Sequence, residues 1–535
     1  MRFRATLQRF SKYPFFSKKA FILLSLIILL GAFLRLFRIE DYLTFLGDEG
    51  RDVLVAKDIL AGHFTLLGPR ASAGDFFLGP IYYYLIAPFL FLANYNPVGP
   101  AVMVAFFGIA TIFLVFKVGK SFFDTKSGLF AASLYAVSPL VIAYSRSSWN
   151  PNIMPFFSIL TLLFAYKGVS TTKARYWALS GFFLGVSMQL HYLSIFIGAI
   201  IFFFVMFDAL FQRFSKDIKT KTVIFGLIKS YALIFFSFLA GLSPFLLFEL
   251  RHGFPNTKTI LGFIFQSGSV SGSSNSTEII SSVFFKIFSR LLANFPPPEQ
   301  VYKFSKITIQ FWQIGVLALA FFAVVLLVSQ LYKNFVKGNR DKFLQHLLLV
   351  TWLVFGIFLF GFYKKPIYDY YFGFMFPLPF LLVGNLLGWL YERRFIFKAL
   401  SLLIFISLFY INIQANPFRY EPNKQYKQVK TAAEFILKQT NNKPFNFALI
   451  SGGNSDHAYR YIFEVNGRPP VTIENLQVDP KRTTVMDQLF VICEENPCYP
   501  LGHSLWEISG FGRGEIVDSW DVSVLKIYKL ERFKE

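Results

Sequence analysis

Residues 18–52 read KKAFILLSLIILLGAFLRLFRIEDYLTFLGDEGRD. The run from 20 to 37 is long enough to cross a bilayer core of about 30 Å, which takes roughly 20 apolar residues. It lacks the small-residue cleavage site that ends a signal peptide, and further apolar runs follow, so it reads as a membrane span. Beyond it the character reverses. Glu40, Asp41, Asp48 and Glu49 come in quick succession, and the Asp48–Glu49 pair lies between Gly47 and Gly50, with Arg51 next.

The rest of the chain fits this opening. Of 535 residues, 54% are hydrophobic and only 16% charged, more apolar surface than a water-soluble core absorbs. Mean hydropathy is +0.49. The net charge of +22 would suggest nucleic acid in a soluble protein, but its distribution excludes that partner. The basic residues gather in short loops between apolar runs: Lys117, Lys120 and Lys126; Lys167, Lys173 and Arg175; Arg213, Lys216, Lys219 and Lys221; Lys333, Lys337, Arg340 and Lys342; Arg393, Arg394 and Lys398. Every second loop is basic, as expected for loops retained in the cytoplasm. The basic stretch before the first span places the N-terminus on the same side.

Spans are expected near 20–37, 98–116, 128–145, 151–167, 177–190, 193–209, 223–248, 309–331, 346–362, 371–391 and 398–414, about eleven in all. The expected fold is an all-α polytopic membrane domain over 1–415, followed by a small α/β domain over 416–535. An odd number of spans puts that second domain outside. The location is a plasma membrane crossed many times, with membrane lipids as solvent.

The first external loop, 38–97, is acidic where the cytoplasmic loops are basic. It ends in GPIYYYLIAPFLFL (79–92), apolar but interrupted by proline, which reads as an interfacial helix. Ser267–Thr277, SGSVSGSSNST, reads as a flexible external loop. In the tail, KQVKTAAEFILKQ has helical periodicity, and FNFALI, LFVIC and VSVLKIYKL read as strands. The two cysteines, Cys493 and Cys498, lie together in CEENPC, either as a disulfide, permitted outside the membrane, or as two thiols in a turn.

Adjacent carboxylates at the end of an apolar bundle suggest proton transfer or metal binding. The order of motifs around them resembles the GT-C glycosyltransferases, in particular the protein O-mannosyltransferases and the aminoarabinose transferases of lipid A. The elements that carry the resemblance are Asp48–Glu49, then GPIYYY from Gly79, the basic turn KVGKSFFDTKSG, SPLVIAYSRSSWNPN, GFFLGVSMQLHY and DYYFGFMFPLPFLL, over roughly residues 20–415.

The resemblance implies a polyprenyl-phosphate-linked sugar as donor, an acceptor glycan, lipid or protein, and catalysis at the outer face. Asp48 would be the base, with Glu49 beside it, and the anomeric carbon would be inverted. Lipid phosphate leaves readily, so the site needs cations and hydrogen-bond donors around it rather than a strong acid. Candidates for the donor phosphate are Lys364, Lys365, Arg51, Arg70, Tyr368 and Tyr371, and for other substrate contacts Arg146, Asn150 and His191. Arg251 is a further external cation.

The chain departs from the family's pattern twice. Leu78 and Gly79 precede Pro80 where a basic residue is usual, so Arg70 would substitute only if its loop folds back. Trp149, Asn150 and Asn152 stand where an acid is common. No cofactor is required on this reading, and a divalent metal is an option that the second departure disfavours. A transporter or lipid flippase is the reading from another class, although ionisable residues are sparse in the spans. An oligosaccharide ligase or polymerase is the other enzymatic reading.

Overall fold

The computed structural model describes residues 17–71, 74–215, 219–266, 275–363 and 366–533. Lys364 and Lys365 lie outside the described residues, as does most of Ser267–Thr277. The chain opens with α1 (Lys18–Leu36), α2 (Gly47–Leu60), α3 (Ile81–Leu92) and α4 (Val98–Phe122). Among the described residues, eight helices have the length and hydropathy to cross a membrane, and α1 and α4 are two of them.

The other six are Asn150–Thr171, Tyr192–Arg213, Thr220–Gly241, Lys306–Val336, Arg340–Phe362 and Phe395–Gln414. The pair Asp369–Met375 and Pro377–Tyr391, bent by 59°, has together the length and hydropathy of a broken span or a re-entrant loop.

The remaining two expected spans fall below the length that marks the others, one because it is broken and one because it is a short helix. The run 128–145 divides into Thr125–Val137 and Pro139–Tyr144. Ser138 stands at φ −62°, ψ 119°, an extended conformation of the kind a following proline imposes. The run 177–190 is the 17-residue helix Ala174–Leu190. The expected span 223–248 stops at Gly241, and a separate helix begins at Ser243 with Pro244 in its first turn. The 12-residue α3 is too short to cross a bilayer; it packs between α2 and α4.

Burial separates central from peripheral helices. Arg340–Phe362 is 72% buried along its most apolar window, whereas Thr220–Gly241 is 6% buried and exposes Ile224, Phe225 and Phe236. An apolar helix exposed on that scale requires lipid around it.

The C-terminal domain is a four-stranded sheet in the order β1-β2-β4-β3, with β1 at Asn446–Ile450, β2 at Gln488–Cys493, β3 at Gly514–Val522 and β4 at Leu525–Arg532. β1 and β2 are parallel, with Ala448 opposite Val491, and the other two pairings are antiparallel. β1 and β2 are buried on both faces, which explains their near-continuous apolar sequences. The run VSVLKIYKL spans the β3–β4 turn and most of β4. Gln425–Gln439 is helical as expected, and Cys493 and Cys498 form a disulfide.

The domain rests on α2 through the helix His457–Val465. Lys57 pairs with Glu464 at 3.0 Å, the Tyr461 hydroxyl donates to the Tyr95 carbonyl at 2.6 Å, and Tyr42 donates to the Tyr420 carbonyl at 2.8 Å.

Candidate active site

The acid pair forms the first turn of α2, where helical N–H groups lack intrahelical partners and favour negative charge. The two acids have different surroundings. Glu49 is buried; its carboxylate accepts from the Leu46 N–H at 3.1 Å and from the Thr44 hydroxyl at 2.9 Å, with Ser147 at 3.3 Å. Burial pushes its pKa up against those hydrogen bonds. Glu49 therefore closes the helix start. The Asp48 side chain is 56% exposed.

Arg51 links Asp48 to a third acid. Its Nη1 donates to Asp48 Oδ1 at 2.8 Å, while Nε and Nη2 both reach Asp52 Oδ1, at 3.1 and 2.7 Å. Asp52 is fully buried, and its Oδ2 has no hydrogen-bond partner among the described residues. Burial pushes the Asp52 carboxyl up to about 7, with Arg51 opposing the rise.

Asp48 and Trp149 stand between two clefts. The inner one, about 410 Å³ including space open to solvent, is lined by Asp48, Arg51, Arg70, Trp149, His191 and Tyr370, among others. The outer one, about 990 Å³ and open to solvent, is lined by Leu46, Gly47, Asp48, Glu49 and Trp149 from the bundle, and by Gly453, Asn454 and Ser455 from the C-terminal domain.

The other candidates from the sequence fall into place differently. Arg70 reaches the inner cleft because its loop does fold back: the Leu78 N–H donates to the Pro69 carbonyl at 2.9 Å and the Gly68 N–H to the Leu78 carbonyl at 2.8 Å. Arg70 pairs with Asp75 and is largely exposed. Asn150 lines the same cleft, with its amide donating to the Leu190 carbonyl at 2.6 Å.

His191 is buried, and burial pushes it down to about 3. Its Nδ1 accepts from the Leu193 N–H at 3.2 Å, which leaves Nε2 as a neutral donor. Tyr368 and Tyr371 line neither cleft; Tyr370, between them, lines the inner one with its ring 4.5 Å from Trp149.

Arg146 serves the end of α1, where its guanidinium donates to the Leu34 and Phe37 carbonyls at 3.0 and 2.9 Å. Arg251 is exposed and lines neither cleft.

Sequence reasoning missed Trp149, Tyr192 and Tyr370 as lining residues, although each lies inside a stretch already singled out. It also missed Asn454 and Ser455. Their signal is SGGNSDH (451–457), a turn sequence with nothing to connect it to residue 48.

Residues 78–247 match the family model of the dolichyl-phosphate-mannose-protein mannosyltransferases. The fold is similar to that of ArnT from Cupriavidus metallidurans, solved bound to undecaprenyl phosphate, with a TM-score of 0.59 at 12% identity, covering 96% of this chain and 98% of that one. It is also similar to the archaeal oligosaccharyltransferase AglB from Archaeoglobus fulgidus, solved with an inhibitory peptide and a dolichol-phosphate. There the TM-score is 0.51 at 15% identity, over 89% of this chain and 69% of that one. No curated protein sequence matches. The chain has the GT-C fold.

Within this GT-C bundle both departures have a structural basis. The position before Pro80 cannot carry a long side chain, because a Cβ on Gly79 would stand 2.4 Å from the Gln189 side chain. Gln189 is fixed there, accepting from the Ile81 N–H at 3.1 Å and donating to the Gly241 carbonyl at 2.6 Å. Opposite Asp48 stands an indole rather than a second carboxylate, and among the described residues no three His, Cys, Asp or Glu side chains gather as metal ligands.

Proposed function

We propose that the chain is a glycosyltransferase that moves a sugar from a polyprenyl-phosphate donor to an acceptor hydroxyl or amine at the outer membrane face. The observation that carries this reading is the position of Asp48, an exposed carboxylate common to both clefts. The donor occupies the inner cleft, with its phosphate near Arg51 and Arg70 and the neutral donors of His191 and Tyr370. The acceptor enters by the outer cleft.

Asp48 takes the proton from the acceptor as the nucleophile bonds to the anomeric carbon. The bond from that carbon to the phosphate oxygen breaks on the opposite side, inverting the centre, and the lipid phosphate leaves with its charge met by the cations. Lys364 and Lys365 are proposed to bind the donor phosphate. The disulfide supports an extracytoplasmic C-terminal domain. The oligosaccharyltransferase named among the similar structures keeps transfer of a preassembled glycan as the second reading.

The test is release or transfer of sugar from a panel of radiolabelled polyprenyl-phosphate sugars by full-length protein in nanodiscs, compared with Asp48→Asn. Asp48-dependent turnover supports the reading and names the sugar. Equal turnover by the variant removes Asp48 as base.

A further inference from the structure

Asp48 is part of a helix start that the chain completes from more than 400 residues away. Leu46, before the first turn of α2, has no side-chain group to cap the helix. The Gly47 N–H is instead met by Asn454 Oδ1 of the C-terminal domain, at 2.8 Å and a separation of 407 residues. Asn454 is itself held: its Nδ2 donates to both Glu494 carboxylate oxygens at 3.1 Å, and the Tyr459 hydroxyl donates to Glu494 at 2.8 Å. The Glu494 N–H donates to the Ile450 carbonyl, and Glu494 follows the disulfide residue Cys493. The chain of contacts runs from the sheet, through Glu494 and Asn454, to the peptide that precedes Asp48.

The backbones also meet closely. A Cβ on Gly47 would fall 1.9 Å from Ser455 Oγ, and one on Gly50 would fall 2.2 Å from the Ala458 backbone nitrogen. The two glycines flanking the acid pair are therefore where the second domain lies against α2.

Resting on the reading of Asp48 as base, we infer that Asn454 is a positioning residue for the transfer reaction. It caps the helix of Asp48 from the C-terminal domain and fixes the carboxylate between the two clefts. It does not act on the donor, whose cleft it does not line. Its removal therefore moves kcat and leaves the donor KM in place.

The experiment uses full-length protein in nanodiscs with undecaprenyl-phosphate mannose, glucose, galactose and aminoarabinose as donors. It compares wild type, Asp48→Asn, Asn454→Ala, Asn454→Asp and the double variant Asn454→Asp/Glu494→Gln. Asn454→Ala is expected to lower kcat about 10- to 100-fold, the scale of a misplacement near 1 Å, with unchanged donor KM.

Asn454→Asp keeps the acceptor for the Gly47 N–H but faces Glu494 with a like charge. Adding Glu494→Gln restores a donor to that position, so the double variant is expected to recover most of kcat. A domain that had simply come loose would give no such recovery.

Hydrogen exchange over residues 46–52 reads the same contact without turnover. Asn454→Ala is expected to exchange at least about 10-fold faster there, since the Gly47 amide loses its bond, and the double variant at the wild-type rate. Unchanged exchange in Asn454→Ala overturns the inference whether or not any donor turns over. So does full kcat in Asn454→Ala beside an inactive Asp48→Asn, and that result leaves the base intact. An active Asp48→Asn removes the base while exchange still decides the cap.

Discussion

Gly50 of α2 faces the backbone of Ala458 so closely that a Cβ on the glycine would come within 2.2 Å of the Ala458 nitrogen and 2.5 Å of its Cα. Both obstructing atoms are main chain, so no rotamer change relieves the contact. Gly50→Ala is therefore expected to push the C-terminal domain off α2, at a cost of roughly 1–3 kcal/mol, the usual range for overpacking. Faster proteolytic release of residues 416–535, together with reduced turnover, would check it. Gly47→Ala meets a movable hydroxyl first and is expected to do less.

Arg51 joins an exposed acid to a buried one. Arg51→Met leaves the buried Asp52 carboxyl without its hydrogen-bond donor, and the group takes up a proton at a cost of about 1–3 kcal/mol. Arg51→Met/Asp52→Asn is expected to regain most of that stability but not the activity, because the charge beside Asp48 and the donor phosphate is still missing. Thermal unfolding and turnover measured on the same samples separate the two roles. Recovery of both would make Arg51 purely structural.

Asp52 also predicts a pH dependence. Burial raises its folded pKa from the ordinary carboxylate value of 3.8 to about 7. Between those values the folded protein holds a proton that the unfolded chain has lost, so this group's contribution to stability falls as pH rises through the window and levels off above it. Asp52→Asn is expected to remove that slope. Unfolding temperatures from pH 4 to 8 in one detergent provide the measurement, and an unchanged slope in the variant would assign it elsewhere.

Arg146 provides a contrast. Its guanidinium is committed to the last carbonyls of α1, between the rings of Tyr42 and Phe418 at 5.5 and 5.1 Å. Arg146→Met is expected to lower stability by about 1–3 kcal/mol through the carbonyls left unsatisfied, with donor KM unchanged. A raised donor KM would return Arg146 to the substrate contacts that the sequence suggested.

The sequence was most informative where burial imposes a period. The spans, the alternation of loop charge and the strands β1 and β2 are one-dimensional signals. Helix breaks were less visible, because a hydropathy window averages over Pro139 and Pro244, whereas the backbone responds to each proline locally.

At the site, Asp48 stood out in the sequence by its place after the first span. The role of Arg146 did not, because an external arginine reads alike whether it meets phosphate or a helix end. Asn454 showed only as part of a turn sequence. Its function is defined by one backbone amide 407 residues away, and a turn sequence carries no address. The flanking glycines had been visible as a pattern around the acids; their reason, the approach of Ser455 and Ala458, needed three dimensions.

The central claim is that Asp48 takes the acceptor's proton. Its most direct test is the single-turnover rate of transfer in full-length Asp48→Asn, with donor affinity and folding measured alongside. The account predicts folded protein, unchanged donor binding and a rate lowered by about 10²- to 10⁴-fold, the usual worth of a general base. A folded variant that transfers sugar at close to the wild-type rate would contradict it.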